Sequence, residues 1–187
     1  MATVEERNKE VIAKYFTEYW GKLNPDIVDE VCADEVFQSY PTHANPKKGK
    51  AAVKQAMVDF KAVRFPPFCS RLMMLANLWC KPKAFPNLGF KTYGPYPLIA
   101  EGDYVFGRWI GGGTHTGAPY DDFSVGALTK ANSGKQMWFS GMTIFTMKDG
   151  KIVKEIGEEG GLTALQQLGL IEPPKKGREM FYDVENM

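Results

Sequence analysis

The run QMWFSGMTIFTM at 136–147 reads as one long β-strand with no solvent face. Strand side chains alternate in direction. Met137, Phe139, Gly141, Thr143, Phe145 and Met147 therefore share one face, and Gln136, Trp138, Ser140, Met142, Ile144 and Thr146 share the other. Both faces are largely apolar, and such a strand needs cover on both sides. A layer of helices can supply one cover and a second copy of the chain the other, so the sequence predicts a homodimer through the sheet.

The period-two pattern extends to either side of that run. GFKTY, PLIA, YVFGRWIGGG and KIVKEI are strand-like, with AEGD and KDGK as turn signals between them. Ahead of them the period is helical. Residues 3–23 predict one helix, with Thr3 as N-cap, Glu5 and Glu6 in the first turn, and Ile12, Tyr15, Phe16, Tyr19, Trp20 and Leu23 on one face. Asn24-Pro25 opens a short second helix to about Ala33, VFQSY at 36–40 is extended, and a third helix covers 49–63. Helices followed by a meander of strands predict an α+β fold with a mostly antiparallel sheet, not alternating βαβ units.

At 187 residues the chain predicts one domain, with ordinary globular usage of 44% apolar and 24% charged residues. A net charge of +1 without a basic stripe points away from nucleic acid. No run approaches a membrane span, and the polar start MATVEERNKE has no apolar signal core, so the expected location is cytoplasmic. Cys32, Cys69 and Cys80 form no CxxC, which suits a reducing compartment. The two histidines, His43 and His115, have no metal-ligand spacing, so neither metal nor cofactor is expected.

PLIAEGDYVFGRWIGGGTHTG, followed by MKDGKIVKEIGEEGGLTALQQLGL, resembles the SnoaL-like polyketide cyclase, or ester cyclase, group of the NTF2-like superfamily. The resemblance covers roughly residues 5–171 and is strongest over 96–170, where GTHTG, DGKI and QLG stand in the family's order. Residues 66–83 look like an insertion and 172–187 like an added tail. The resemblance implies a cone-shaped α+β barrel with N-terminal helices on a curved sheet, enclosing a pocket for an apolar small molecule. It also implies acid/base chemistry: a carboxylate removes a proton alpha to a carbonyl while a donor meets the enolate oxygen. Superfamily members include cyclases, isomerases, dehydratases and non-catalytic binders, so fold alone leaves the reaction open.

Glu159 and Glu158 are the candidate bases. Counted back from Gln167-Leu168-Gly169, the aspartate of the cyclases falls on Gly160, one residue later. The same two carboxylates also suit the N-terminus of the helix that follows. His115 in GTHTG is a candidate for proton transfer or ligand orientation, or else a hydrogen-bonded strand end. Arg108 is a candidate ligand-binding cation, or a partner of Glu155, Glu158 or Glu159. Trp20, Tyr40 and Trp138 are candidate pocket walls, each with a polar edge, or core. Gln38 is a further candidate for substrate binding, in the FQSYP segment, where several relatives carry a histidine just before the proline. His43 and the loop at 117–123, with Asp121 and Asp122, are expected in solvent.

Overall fold

The computed structural model describes residues 2–41, 43, 45–61, 89–92, 97–116, 119, 125–130, 133–172 and 175. The segment 66–83 and most of the 117–123 loop and the 172–187 tail lie outside these residues.

Helix α1 (Val4–Tyr15) starts at a capping box: Thr3 Oγ1 accepts from the Glu6 N–H at 3.1 Å, and Glu6 Oε2 from the Thr3 N–H at 2.8 Å. The expected α-helix to residue 23 stops early. Phe16–Gly21 is a π-helix, closed by the Lys22 N–H on the Thr17 carbonyl at 3.0 Å and left through Leu23 at φ 55. The wider turn changes which side chains face together. Tyr15 and Trp20 are five residues apart and would diverge by about 140° on an α-helix. Here both hydrogen-bond one carboxylate.

Helix α2 (Ile27–Val31) is followed by strand β1 (Cys32–Ser39), which begins inside the segment expected to be helical. Pairing decides this, because Cys32 sits in parallel register with Ile152. Then come β2 (Lys47–Lys48), α3 (Lys50–Lys61), β3 (Gly89–Thr92), β4 (Ile99–Glu101), β5 (Tyr104–Thr114), β6 (Gln136–Lys148), β7 (Lys151–Glu159) and α4 (Gly161–Gln167). The sheet has seven strands in the order β2-β1-β7-β6-β5-β3, with β4 also on β5. Among the described residues only β1 and β7 pair in parallel. The outermost strands β2 and β3 do not pair, so the expected barrel is an open sheet. The KDGK hairpin forms as its sequence predicts, with Asp149 at φ 50 and Gly150 at φ 72, the pair of positive angles a tight two-residue turn needs.

A bulge resets the last strand. Thr146 pairs with Lys154 but Met147 with Ile152, leaving Val153 as the extra residue. Simple alternation groups Ile152 with Ile156 and Glu158; the bulge instead puts Ile152 on the buried face with Glu155.

The helices cover the inner face of this sheet. Phe16 meets Phe145 edge-on at 5.4 Å, and Gly107 has no side chain because Phe16 and Leu98 atoms lie 2.9 Å from where its Cβ would be. The outer face is covered only in part. Trp138 lies over Gly112, but Met142 is 61% exposed, Phe106 43% and Ile144 40%. Among the described residues no helix is long and apolar enough to cross a membrane.

Candidate functional site

Glu155 is the centre of the inner face. It lies in the middle of β7, is 1% exposed, and receives a hydrogen bond at every lone-pair position. Oε1 accepts from Tyr40 Oη at 2.6 Å and Trp20 Nε1 at 3.0 Å, and Oε2 accepts from Tyr15 Oη at 2.7 Å and Gln38 Nε2 at 2.8 Å. Each donor arrives for a local reason. The π-helix turns Trp20 onto the face of Tyr15. The parallel register sets Gln38 directly beside Glu155. Gly157, the next inner-face residue, leaves space for the Tyr40 ring, which passes 2.0 Å from where its Cβ would be.

All four donors are neutral, and no lysine, arginine or histidine among the described residues pairs with Glu155. Burial pushes the Glu155 carboxyl above the usual carboxylate range, against the opposing pull of the bonds from Tyr40, Tyr15, Gln38 and Trp20. Burial, and then the charge of Glu155, hold the phenols of Tyr15 and Tyr40 well above their ordinary value. An unpaired buried carboxylate costs several kcal/mol, which neutral donors offset only in part.

From Glu155 a polar chain runs outward. Tyr40 Oη lies 3.1 Å from Thr143 Oγ1, which accepts from Trp109 Nε1 at 2.8 Å. The Trp109 indole fills the place of a side chain at Gly141, 2.3 Å from the ideal Cβ, and Phe139 packs edge-on against it at 5.6 Å. Gly141 is paired with Glu159. Glu159 therefore stands on the inner face beside this aromatic wall and is half-buried, as is Phe139.

The structure brings together Trp20, Gln38, Tyr40 and Glu159 of the expected residues and places the others elsewhere. Glu158 faces outward, in a cross-strand row with Met142 and Arg108. Trp138 is on that outer face too, over Gly112, so neither it nor Arg108 belongs to the inner wall. His115 is fully buried just past β5, with ring Nδ1 at 2.7 Å from Ser133 Oγ and its backbone N–H donating to the Lys135 carbonyl at 2.8 Å. This is the strand-end alternative for His115. His43 is half-buried rather than in solvent, its ring edge-on to Tyr40 at 6.0 Å. Neither Glu158 nor Glu159 makes a side-chain cap: both are in β7, and α4 starts at Gly161 with Gly160 as its N-cap and no acidic residue in its first turn. Gln167 of the QLG motif clamps α4 to the sheet, its amide accepting from the Trp138 N–H at 2.9 Å and donating to the Trp138 carbonyl at 2.7 Å.

Sequence reasoning missed Glu155 as a centre, along with Tyr15, Thr143 and Trp109. The available signal was a glutamate on the same strand face as Gly157 and Glu159. Among the described residues no three His, Cys, Asp or Glu side chains converge as metal ligands.

Comparison with known proteins fits this architecture. The profile of the SnoaL-like polyketide cyclases matches residues 74–168, about half of the chain. The chain belongs to the SnoaL-like polyketide cyclase family. Solved structures similar to this SnoaL-like chain include a candidate SnoaL-like polyketide cyclase from Jannaschia sp. CCS1, at 18% identity and TM-score 0.63, covering 93% of this chain and 98% of that one. A candidate polyketide cyclase from Bacillus cereus ATCC 10987 matches at 22% identity and TM-score 0.60, covering 91% and 87%. A protein of ketosteroid isomerase-like fold from Catenulispora acidiphila matches at 12% identity and TM-score 0.59, covering 87% and 94%. At these identities the likeness shows a shared fold. No curated protein matches the sequence of this SnoaL-like chain.

Proposed function

We propose that the protein is a cofactor-independent acid/base enzyme that cyclises, isomerises or dehydrates an apolar, carbonyl-bearing metabolite of polyketide or terpenoid character. Glu159 is the base. The observation that carries this reading is the position of Glu159: the half-buried carboxylate of the inner face, beside Trp109 and one residue before Gly160. An aromatic wall accepts an apolar ring system, and a carboxylate at its edge can remove a proton alpha to a carbonyl. The test is deuterium uptake from solvent into 1-phenylbutane-1,3-dione and related diketones, followed by NMR. Glu159→Gln lowers uptake to the rate without protein and Glu158→Gln preserves the catalysed rate; equal rates for wild type and Glu159→Gln overturn the assignment. A second reading, a binding protein without catalysis, is favoured by Gly160, which has no side chain where the resemblance puts the acid/base aspartate. Diketone binding with uptake no faster than the rate without protein would establish that reading.

The outer face supports a homodimer within the same proposal. Ile99, Phe106, Ile144 and Ile156 form one cross-strand row, and Arg108, Met142 and Glu158 the next. A two-fold axis through this patch buries the apolar row and turns Arg108 of each copy toward Glu158 of the other. Light scattering at micromolar concentration gives a dimeric mass if this is right and a monomeric mass if it is not.

A further inference from the structure

The Glu155 cluster has a feature that structural packing leaves without a purpose. A carboxylate that only ties elements together is best matched by a cation. Glu155 instead has two phenols, one indole and one amide, filling all four acceptor positions without neutralising any charge. Burial without a counter-charge favours the neutral acid, and the donor shell holds the negative charge when Glu155 carries it. Trp20 and Gln38 donate only through nitrogen, whereas the oxygens of Tyr40 and Tyr15 can also accept. A neutral Glu155 can therefore donate to Tyr40, and the Tyr40 hydroxyl hydrogen then turns outward, toward Thr143 and the Trp109 wall.

We infer that Tyr40 is the catalytic acid of the reaction proposed above, and that Glu155 is the positioning residue that resupplies its proton. The inference rests on that acid/base reading. The step balances as follows. Glu159, as carboxylate, takes the proton from the carbon alpha to the carbonyl. The C–H electron pair becomes a carbon–carbon double bond, and the carbonyl π pair moves to oxygen. That oxygen takes the phenol proton of Tyr40, whose own oxygen takes the proton of Glu155 across the 2.6 Å bond. The products are the enol, neutral Glu159, neutral Tyr40 and ionised Glu155. One negative charge has moved from Glu159 to Glu155, along one face of β7, into the place where Tyr15, Trp20 and Gln38 already donate and Tyr40, now holding the Glu155 proton, becomes the fourth donor. The reverse transfers restore the starting state.

Several titratable groups surround this pair: Tyr15 from α1, Tyr19 from the π-helix, Cys32 from β1, His43 from the turn after Tyr40, and Glu159 from β7. Burial raises the Tyr19 phenol and pushes the Cys32 thiol up to about 12, so neither competes for the proton near neutrality.

Two measurements on the full chain test the inference. In infrared spectra of the ligand-free protein, the wild type shows the carbonyl stretch of a neutral carboxyl at neutral pH. The band is lost in Glu155→Gln, and in Tyr40→Phe it persists to higher pH because a donor to the carboxylate is gone. Absence of the band in the wild type at neutral pH overturns the inference. In diketone deuterium uptake, Tyr40→Phe and Glu155→Gln each lower kcat by about a hundredfold with little change in KM, the size expected for loss of a general acid. The alkaline limb of the wild-type kcat profile disappears in Glu155→Gln. Uptake that survives both substitutions overturns the inference and leaves the acid/base reading standing. Wild-type uptake no faster than the rate without protein overturns both. Glu155→Gln is isosteric, and Tyr40→Phe supplies an independent arm if that variant does not fold.

Discussion

Alternate residues of β7 tell two stories. Glu155, Gly157 and Glu159 face the helices, whereas Ile156 and Glu158 face away from them. On the inner side a carboxylate is buried among aromatic rings with polar tips, and glycines at 141 and 157 give those rings room. On the outer side aliphatic and aromatic groups lie open, with opposite charges at Arg108 and Glu158 beside them. The inner face is satisfied within one chain; the outer face has its apolar groups without cover from the described residues. The contrast teaches that apolar character alone does not say which face of a strand holds chemistry.

The inner network breaks hardest. Glu155→Ala takes this acceptor from the buried Tyr15 and Trp20 donors, while Tyr40 keeps Thr143 and Gln38 keeps Tyr15 within reach, and at about 1–3 kcal/mol per unsatisfied group the loss in urea unfolding should be about 2–6 kcal/mol. Gly157→Ala comes next. Its Cβ would fall 2.0 Å from the Tyr40 ring, so the ring must move and Glu155 loses its shortest bond, at about 2 kcal/mol in the same assay.

The third effect is one of pH. Burial raises the Glu155 pKa in the folded protein, so its contribution to stability is fully present below the unfolded value of about 4.3 and is lost as pH rises through the folded one. The stability of the wild type relative to Glu155→Gln therefore falls as pH climbs through that window. A difference independent of pH would contradict it.

Outer-face changes should be smaller for the fold and larger for assembly. Phe106→Lys with Ile144→Lys converts the proposed dimer to a monomer in light scattering, whereas Glu158→Gln moves the unfolding midpoint by no more than about 0.5 kcal/mol equivalent.

Much of this fold is legible in the chain. The period-two runs gave β3 to β7, Asp149-Gly150 gave the hairpin, and Thr3 with Glu6 gave the start of α1. The aromatic and amide side chains at 20, 38 and 40 stood out as site residues, but their role did not, because their shared target is Glu155. Within KIVKEI, Lys154 and Glu155 look like an ordinary solvated charge pair. The bulge at Val153 conceals the phase, so a glutamate on the buried face cannot be distinguished by counting in twos from Ile152.

The π-turn was equally hidden. Tyr15, Tyr19 and Trp20 fit an α-helical stripe, and nothing in their spacing favours five-residue closure. His115, Arg108 and Trp138 were legible as unusual residues in apolar strands, but direction and distance removed them from the inner wall.

By itself the sequence determined the α+β class, the strand order along the chain and the family, because hydrophobic period, turn chemistry and motif order are local properties. Tertiary structure alone decided which carboxylate is buried. That outcome depends on a parallel pairing of β1 with β7, on one extra residue at 153 and on one widened helical turn. The first joins distant segments, and the other two are backbone departures that the hydrophobic period of their own segments does not reveal.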